Sequence, residues 1–401
     1  MSVIMEAFNN IETLTIGLLL LSLAIALFFE FINGFHDTAN AVAMIIYTNS
    51  MKAEYSVVMA GIMNFLGVIT GGIGVAFAIV HLLPVDILVS TNQEAALAMI
   101  YSLLISAVVW NFGTWYFGLP VSSTHSLIGS ILGVSISFGV LNGFDVAQSV
   151  NWKVAYGVLL ALAISPLVGF GLAYLLMKLS RKYISNQKFF DSPEPNNKGK
   201  VKHPSFWARI GIIATGAGVS YAHGSNDGQK GIGLVMIILI GVLPAYFALN
   251  METKQYKIMQ TRDGAANLAK FYADNNETFI TLLNDKEVKS ALRTKNTIAE
   301  CDLSNVYETT LLVSTKIDGL KSYSELSPAD RWSVRTTIIC ADNFFAQTQK
   351  IFEKIDKDKA EYIADQRKRL VAPIEYAPIW VIIAVALAIG LGTMIGYKRI
   401  V

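Results

Sequence analysis

Gly34-Phe-His-Asp-Thr-Ala-Asn-Ala41 sets a histidine, an acid and an amide at the end of an apolar run that begins at Leu14. An aspartate at membrane depth costs roughly 2.5 to 3.5 kcal/mol on insertion scales, so an acid retained there is a functional candidate. The pattern recurs as Gly224-Ser-Asn-Asp-Gly-Gln-Lys-Gly231, which aligns Gly34 with Gly224 and Asp37 with Asp227. Asp37 and Asp227 are therefore read as a pair that binds a coupling cation or carries a proton, the plain alternative being two helix-capping aspartates. Lys230 aligns with Asn40; it either neutralises Asp227, meets an anion or simply snorkels. His36 aligns with Asn226, and His223 with Asn33, so the histidines do not repeat.

A second cluster, Gly118-Leu-Pro-Val-Ser-Ser-Thr-His-Ser126, interrupts apolar sequence with a proline and then a run of hydroxyl and imidazole groups. Irregular backbone at membrane depth is tolerated only inside protein or along a watery cavity, so this break points to a binding site. If a helix starts there, Ser122, Ser123 and Thr124 set hydroxyls and backbone N–H groups before its positive end, an arrangement suited to a tetrahedral oxyanion. Ordinary capping by serine and threonine is the alternative. His125 fits a structural hydrogen bond as well as a functional one. The string Gly224 to Gly231 superficially resembles a phosphate-cradling loop, but Gln229 and Gly231 stand where that motif requires glycine and serine or threonine.

These groups need a membrane scaffold, and the composition supplies one. The chain has 401 residues, 53% hydrophobic and 15% charged, against about 25% charged in soluble domains. A net charge of +2 argues against a nucleic-acid partner. The first run has Glu6 and Glu12 at its flank in place of cations, and reads as a retained helix, not a cleaved signal. Further runs span Val57 to Leu83, with Gly67-x-x-x-Gly71 suited to close helix packing, then Ala95 to Phe117, Ser126 to Leu141 and Val154 to Leu179. The basic stretch after Arg181 reads as a cytoplasmic linker. Five crossings before it make the second copy enter the membrane inverted, the plan of many secondary transporters.

The expected division is residues 1–180 as a first transmembrane repeat, 181–205 as the linker, and 206–250 as the start of an inverted second repeat. Residues 251–372 form a charged, helical, soluble insertion, and 373–401 a further transmembrane helix. The fold class is thus an all-α polytopic membrane protein, an inverted-repeat secondary transporter with a soluble helical insertion in its second repeat. Ser327-Pro-Ala-Asp330 predicts a helix start in the insertion. Inversion places the insertion outside, where Cys301 and Cys340 can pair, whereas Arg367-Lys-Arg369 argues for inside. Two cysteines make no metal site by themselves.

Gly34-Phe-His-Asp-Thr-Ala-Asn-Ala41, Pro120-Val-Ser-Ser-Thr-His125 and Gly224-Ser-Asn-Asp227 resemble the signatures of the inorganic phosphate transporter family, nearest its low-affinity, proton-coupled bacterial branch. The resemblance covers essentially the whole chain, insertion included. It implies a multi-pass inner-membrane symporter whose substrate is inorganic phosphate, alone or as a neutral complex with a divalent metal. Residue by residue, it implies Ser122, Ser123, Thr124, Asn40 and Asn226 as phosphate ligands and Asp37 and Asp227 as the coupling centre, with His36, His125 and Lys230 as further candidates. The chain departs from the sodium-coupled pattern at His36, Gln229 and Lys230; a lysine cannot coordinate sodium, which favours protons. No enzyme activity, resident cofactor or structural metal is implied, and a homo-oligomer is compatible. The sequence stops before a second Pro-Val-Ser-x-Thr-His motif, which predicts a fragment or a shortened product that needs a partner. The rival readings are a non-transporting membrane scaffold or sensor, and a carrier of another oxyanion such as sulfate.

Overall fold

Several helix ends follow local sequence rules. The computed structural model describes residues 13–80, 93–119, 121–141, 150, 152–185, 190, 203–279 and 305–395, and every regular element among them is helical. Helix α1 (Thr13–Tyr47) carries the opening apolar run and, uninterrupted, the first aspartate motif. It ends at a turn where Asn49 takes a left-handed backbone (φ 53°), a conformation asparagine tolerates.

The single run expected from Val57 to Leu83 is instead broken into α2 (Ala53–Thr70) and α3 (Gly74–Val80), and its last three residues lie outside the described ones. The cause is the Gly71-Gly72 pair, whose second member sits at φ 79°, where a Cβ is strained. Helix α4 (Gln93–Tyr116) stops before Gly118, again left-handed at φ 68°. Helix α5 (Ser123–Leu141) begins at the hydroxyl cluster, three residues ahead of the apolar run at Ser126, and so takes Ser123 and Thr124 into its first turn. Pro120, Cys301 and most of the 181–205 linker lie outside the described residues. Helix α6 (Trp152–Tyr183) ends on Arg181 and Lys182, favourable charges for a helix C-terminus. Helix α7 (Phe206–Val242) runs straight through the second motif.

Among the described residues α1, α2, α4, α5 and α6 are long and apolar enough to cross a membrane. Their outer side chains, such as Leu14, Val109 and Phe170, are mostly exposed, which is what hydrocarbon solvent permits and water does not. The protein is a multi-pass membrane protein.

The chain divides into two compact units. One comprises Ala24–Leu83, Ser102–Leu234 and Ile379–Val401, and glycine contacts hold its helices together. A Cβ at Gly67 or Gly224 would strike the backbone at Tyr221 or Asn64, so α2 and α7 touch at glycine on both sides. Gly34 packs in the same way on Ile389 and Thr393 of α13 (Ile379–Ile395). The Gly67-x-x-x-Gly71 spacing is therefore a packing device, as its sequence suggests.

The other unit comprises Met1–Leu23, Pro84–Tyr101 and Val235–Pro378. Within it α8 (Pro244–Phe247), α9 (Gln255–Asp274), α10 (Val306–Lys316), α11 (Pro328–Ile355) and α12 (Lys357–Val371) follow in order. Phe271, Val313, Phe344, Phe352 and Ile363 belong to one hydrophobic core spanning α9 to α12. Ser327 caps α11 by accepting from the Asp330 N–H at 3.1 Å, with Pro328 in the first turn, as the sequence predicts. Buried Arg335 donates to the Ala248 carbonyl at 3.0 Å. Cys340 is disulfide-bonded, and Cys301 is the only other cysteine in the sequence.

Candidate functional site

The small residues of α2 and α7 let the two helices close to backbone contact, and α1 lies against both through its own motif. On α7, His223, Asp227 and Lys230 are spaced four and three residues apart, so they share one face. That face meets Asp37 of α1. His223 Nε2 stands 3.0 Å from Asp37 Oδ2 and 3.3 Å from Asp227 Oδ2. The two aspartates that the repeat aligns are therefore joined through one imidazole.

The other ring nitrogen, Nδ1, lies 2.7 Å from the Asn64 Oδ1, and Asn64 Nδ2 donates to Thr393 Oγ1 at 2.9 Å. With an acceptor at each nitrogen, His223 satisfies both only when both carry protons. Asn64 and Thr393 thus orient the ring that bridges the acids.

Lys230, 3% exposed, extends in the other direction. Its Nζ pairs with Asp227 and donates to Ser123 Oγ at 3.1 Å and Thr124 Oγ1 at 2.6 Å. One ammonium connects the second aspartate motif to the hydroxyl cluster at the start of α5. Two carboxylates, an ammonium and an imidazole then lie in one chain of contacts with nearly balanced charge, so that an added proton or anion must rearrange the partners. Asp37, His223 and Asp227 each place an atom within 4.8 Å of the others, close enough to share a cation once His223 gives up the Nε2 proton.

The remaining candidates divide. Asn40 is exposed and donates to Asp37 Oδ1 at 3.0 Å. Ser122 accepts from the His125 N–H at 3.3 Å, a capping bond, while the His125 side chain is exposed. His36 is buried away from the cluster, with Nε2 2.9 Å from the Asn111 carbonyl, and Asn111 Nδ2 donates to Ser126 Oγ at 2.6 Å. These bonds tie α1 to α4 and α4 to α5. Asn226 is exposed and enters none of these bonds. Gly224 to Gly231 is helical throughout, so the phosphate-loop likeness has no loop behind it.

Sequence reasoning set aside His223, because its repeat partner is Asn33, and passed over Asn64. It also read Gln229 as a departure only. Gln229 Oε1 accepts from the Val75 N–H at 2.7 Å and its Nε2 donates to the Gly71 carbonyl at 3.1 Å, which ties off the break between α2 and α3.

Residues 33–401 match the phosphate transporter family. The chain is 41% identical over 405 residues to the low-affinity inorganic phosphate transporter PitB of Escherichia coli (strain K12), covering 99% of this chain and 81% of the relative. It is 39% identical over 409 residues to PitA of the same strain, with the same coverage of both chains. A probable low-affinity inorganic phosphate transporter of Bacillus subtilis (strain 168) is 35% identical over 215 residues, 54% of this chain and 58% of its own. A solved structure titled as the sodium-dependent phosphate transporter aligns with 93% of this chain and 98% of its own at 16% identity, with a TM-score of 0.43.

Proposed function

The chain belongs to the phosphate transporter family, and we propose from that premise that it carries inorganic phosphate across the bacterial inner membrane as a proton-coupled symporter. The observation that carries the reading is the Lys230 bridge. A cation held by Ser123, Thr124 and Asp227 is placed to meet an incoming phosphate at the hydroxyls, while Asp227 gives up its partner. Loading of the anion then alters the charge balance of Asp227, His223 and Asp37, which is the form of linkage a symporter needs.

In this reading Ser123 and Thr124 hold phosphate oxygens, together with Ser122, Asn40 and Asn226 once the bound state forms. Asp37 and Asp227 link cation and anion occupancy, with His223 between them. A fixed ammonium beside Asp227 leaves less need for sodium there and supports protons as the coupling ion. A divalent metal travels as part of the substrate, as a neutral metal phosphate. Residues 206–250 and 373–401 belong to a second repeat inverted against the first, and residues 251–372 form a soluble insertion. The hydrophobic core shared by α9 to α12 supports that insertion. The disulfide-bonded state of Cys340 supports the outer face, since disulfides persist in oxidising compartments.

Asp227→Asn tests the coupling. Proton-driven phosphate uptake in proteoliposomes should be abolished, and undiminished uptake would remove Asp227 from the coupling centre. Labelling of the cysteines in intact cells by an impermeant thiol reagent tests the side of the insertion: reaction after reduction, and none before, is expected.

A further inference from the structure

Glu30 stands on α1 two helical turns before Asp37, fully buried at 0% exposure. Glu30, Asn33, Asp37 and Asn40 recur at intervals of three and four residues and form one polar stripe along the helix. Gly231 of α7 lies directly on this side chain: a Cβ there would come within 2.9 Å of Glu30 Oε1. Asn33 Nδ2 donates to Glu30 Oε2 at 3.3 Å. The other carboxyl oxygen, Oε1, and the Asn33 Oδ1 are both buried without a hydrogen-bond partner.

No lysine, arginine or histidine forms an ion pair with Glu30 among the described residues. The charged and titratable groups that act on it are Lys230, Asp227 and His223, all on α7. Those three are engaged with one another, with Asp37 and with the hydroxyls of α5. An ionised carboxylate in this position has no counter-ion and one oxygen with no donor, an expensive combination away from water. A proton removes the charge and converts one of two idle acceptors into a donor. Two free oxygens are too few to replace the hydration shell of a hard metal cation.

We propose that Glu30, supported by Asn33, is the site at which the coupling proton rides through the transport cycle. The proposal rests on the proton-coupled reading above and assigns the proton to a group outside the Asp37, His223 and Asp227 cluster. Binding forms one O–H bond on the Glu30 carboxyl with a proton taken from water on one side of the membrane. Release breaks that bond and returns the proton to water on the other side. The carboxylate left behind needs a cation, and Lys230 is the lysine that acts on it. Phosphate occupancy, which draws Lys230 to Ser123 and Thr124, favours the protonated Glu30, and phosphate departure frees Lys230 for the carboxylate, so proton and phosphate are released together.

Glu30→Gln in sodium-free proteoliposomes tests this with two readouts. The first is the ratio of phosphate accumulation driven by a pH gradient to phosphate exchange at equal pH, which should fall by roughly tenfold or more. The second is the infrared carbonyl band of a protonated buried carboxyl, present in the wild type and lost in the variant. Glu30→Asp keeps an acid, and should keep the band and recover gradient-driven accumulation with a displaced pH profile. An unchanged ratio, a band that survives Glu30→Gln, or a Glu30→Asp variant that recovers neither property overturns the proposal. A wild type driven by sodium and not by protons overturns the coupling reading and the proposal together. A proton-driven wild type matched by Glu30→Gln overturns the proposal alone.

Discussion

Lys230 donates to Thr124 Oγ1 at 2.6 Å while pairing with Asp227 one turn away on its own helix, so a single side chain joins an acid motif to a hydroxyl cluster more than a hundred residues distant in sequence. Removing one member of a buried ion pair leaves the other uncompensated, a loss of roughly 3 kcal/mol for a fully buried pair. Asp227 keeps 19% side-chain exposure, so Lys230→Met should destabilise the protein by about 2 kcal/mol after allowing for solvent screening. Uptake should also be lost. The double variant Lys230→Met with Asp227→Asn should regain most of the thermal stability in detergent and none of the transport. Recovery of uptake in the double variant would show that the pair is structural only.

His223 is predicted to act through both of its nitrogens. His223→Phe leaves Asp37 and Asp227 facing one another without the bridging ring, and initial phosphate uptake should fall by at least roughly tenfold, or about 1.4 kcal/mol in the barrier. Asn64→Ala leaves the ring in place and removes the hydrogen bonds to His223 and Thr393 that orient it, so its effect on uptake should be smaller, about 1 kcal/mol for the bond to the ring. Undiminished uptake by His223→Phe would mean that the ring's contact with the carboxylates is unimportant.

The helix contacts give predictions of opposite sign on one helix. Gly224 meets the Asn64 backbone, whereas a Cβ at Gly218 would meet nothing within 4 Å. Gly224→Ala should therefore lower the unfolding temperature in detergent, at a cost of about 1 to 3 kcal/mol for overpacking. Gly218→Ala should hold or raise it by up to about 1 kcal/mol through helix propensity. A Gly224→Ala protein as stable as the wild type would show that α2 and α7 separate freely.

Much of the site was legible because charge and polarity are conspicuous in apolar sequence. Asp37 and Asp227 stood out by their repetition, and Ser123 and Thr124 by following a break. His223 was hidden by the same logic, since its role comes from tertiary contact with α1 and α2 and its repeat counterpart is Asn33. Glu30 lies within the first apolar run and outside both repeated motifs, and only the passage of Gly231 beside it reveals that it is enclosed. The split between α2 and α3 was written in Gly71 and Gly72, but hydropathy averages over two residues and reports one continuous run. The start of α5 was legible in Ser122, whose hydroxyl accepts from the His125 N–H as a capping residue does.

Helix α11 belongs to the unit that holds none of the transport-site residues. Ser327 Oγ donates to Asp330 Oδ2 at 2.6 Å and accepts from the Asp330 N–H, and Lys316 Nζ stands 3.3 Å from Asp330 Oδ1. The Ser327 hydroxyl, and after it the Lys316 ammonium, hold the Asp330 carboxyl below its ordinary value. The folded value then lies under the unfolded one of about 3.9, so on acidification the unfolded chain takes up the proton first. The stability that Asp330 contributes is present above the unfolded value and is lost as pH falls through the folded one. Thermal unfolding of the protein in detergent, followed by circular dichroism, should show a loss of stability below about pH 4 that Asp330→Asn reduces. Ser327→Ala should lower stability at neutral pH as well, because the capping oxygen is then gone at every pH. An acid profile identical in the wild type and Asp330→Asn would show that the cap makes no difference to folding.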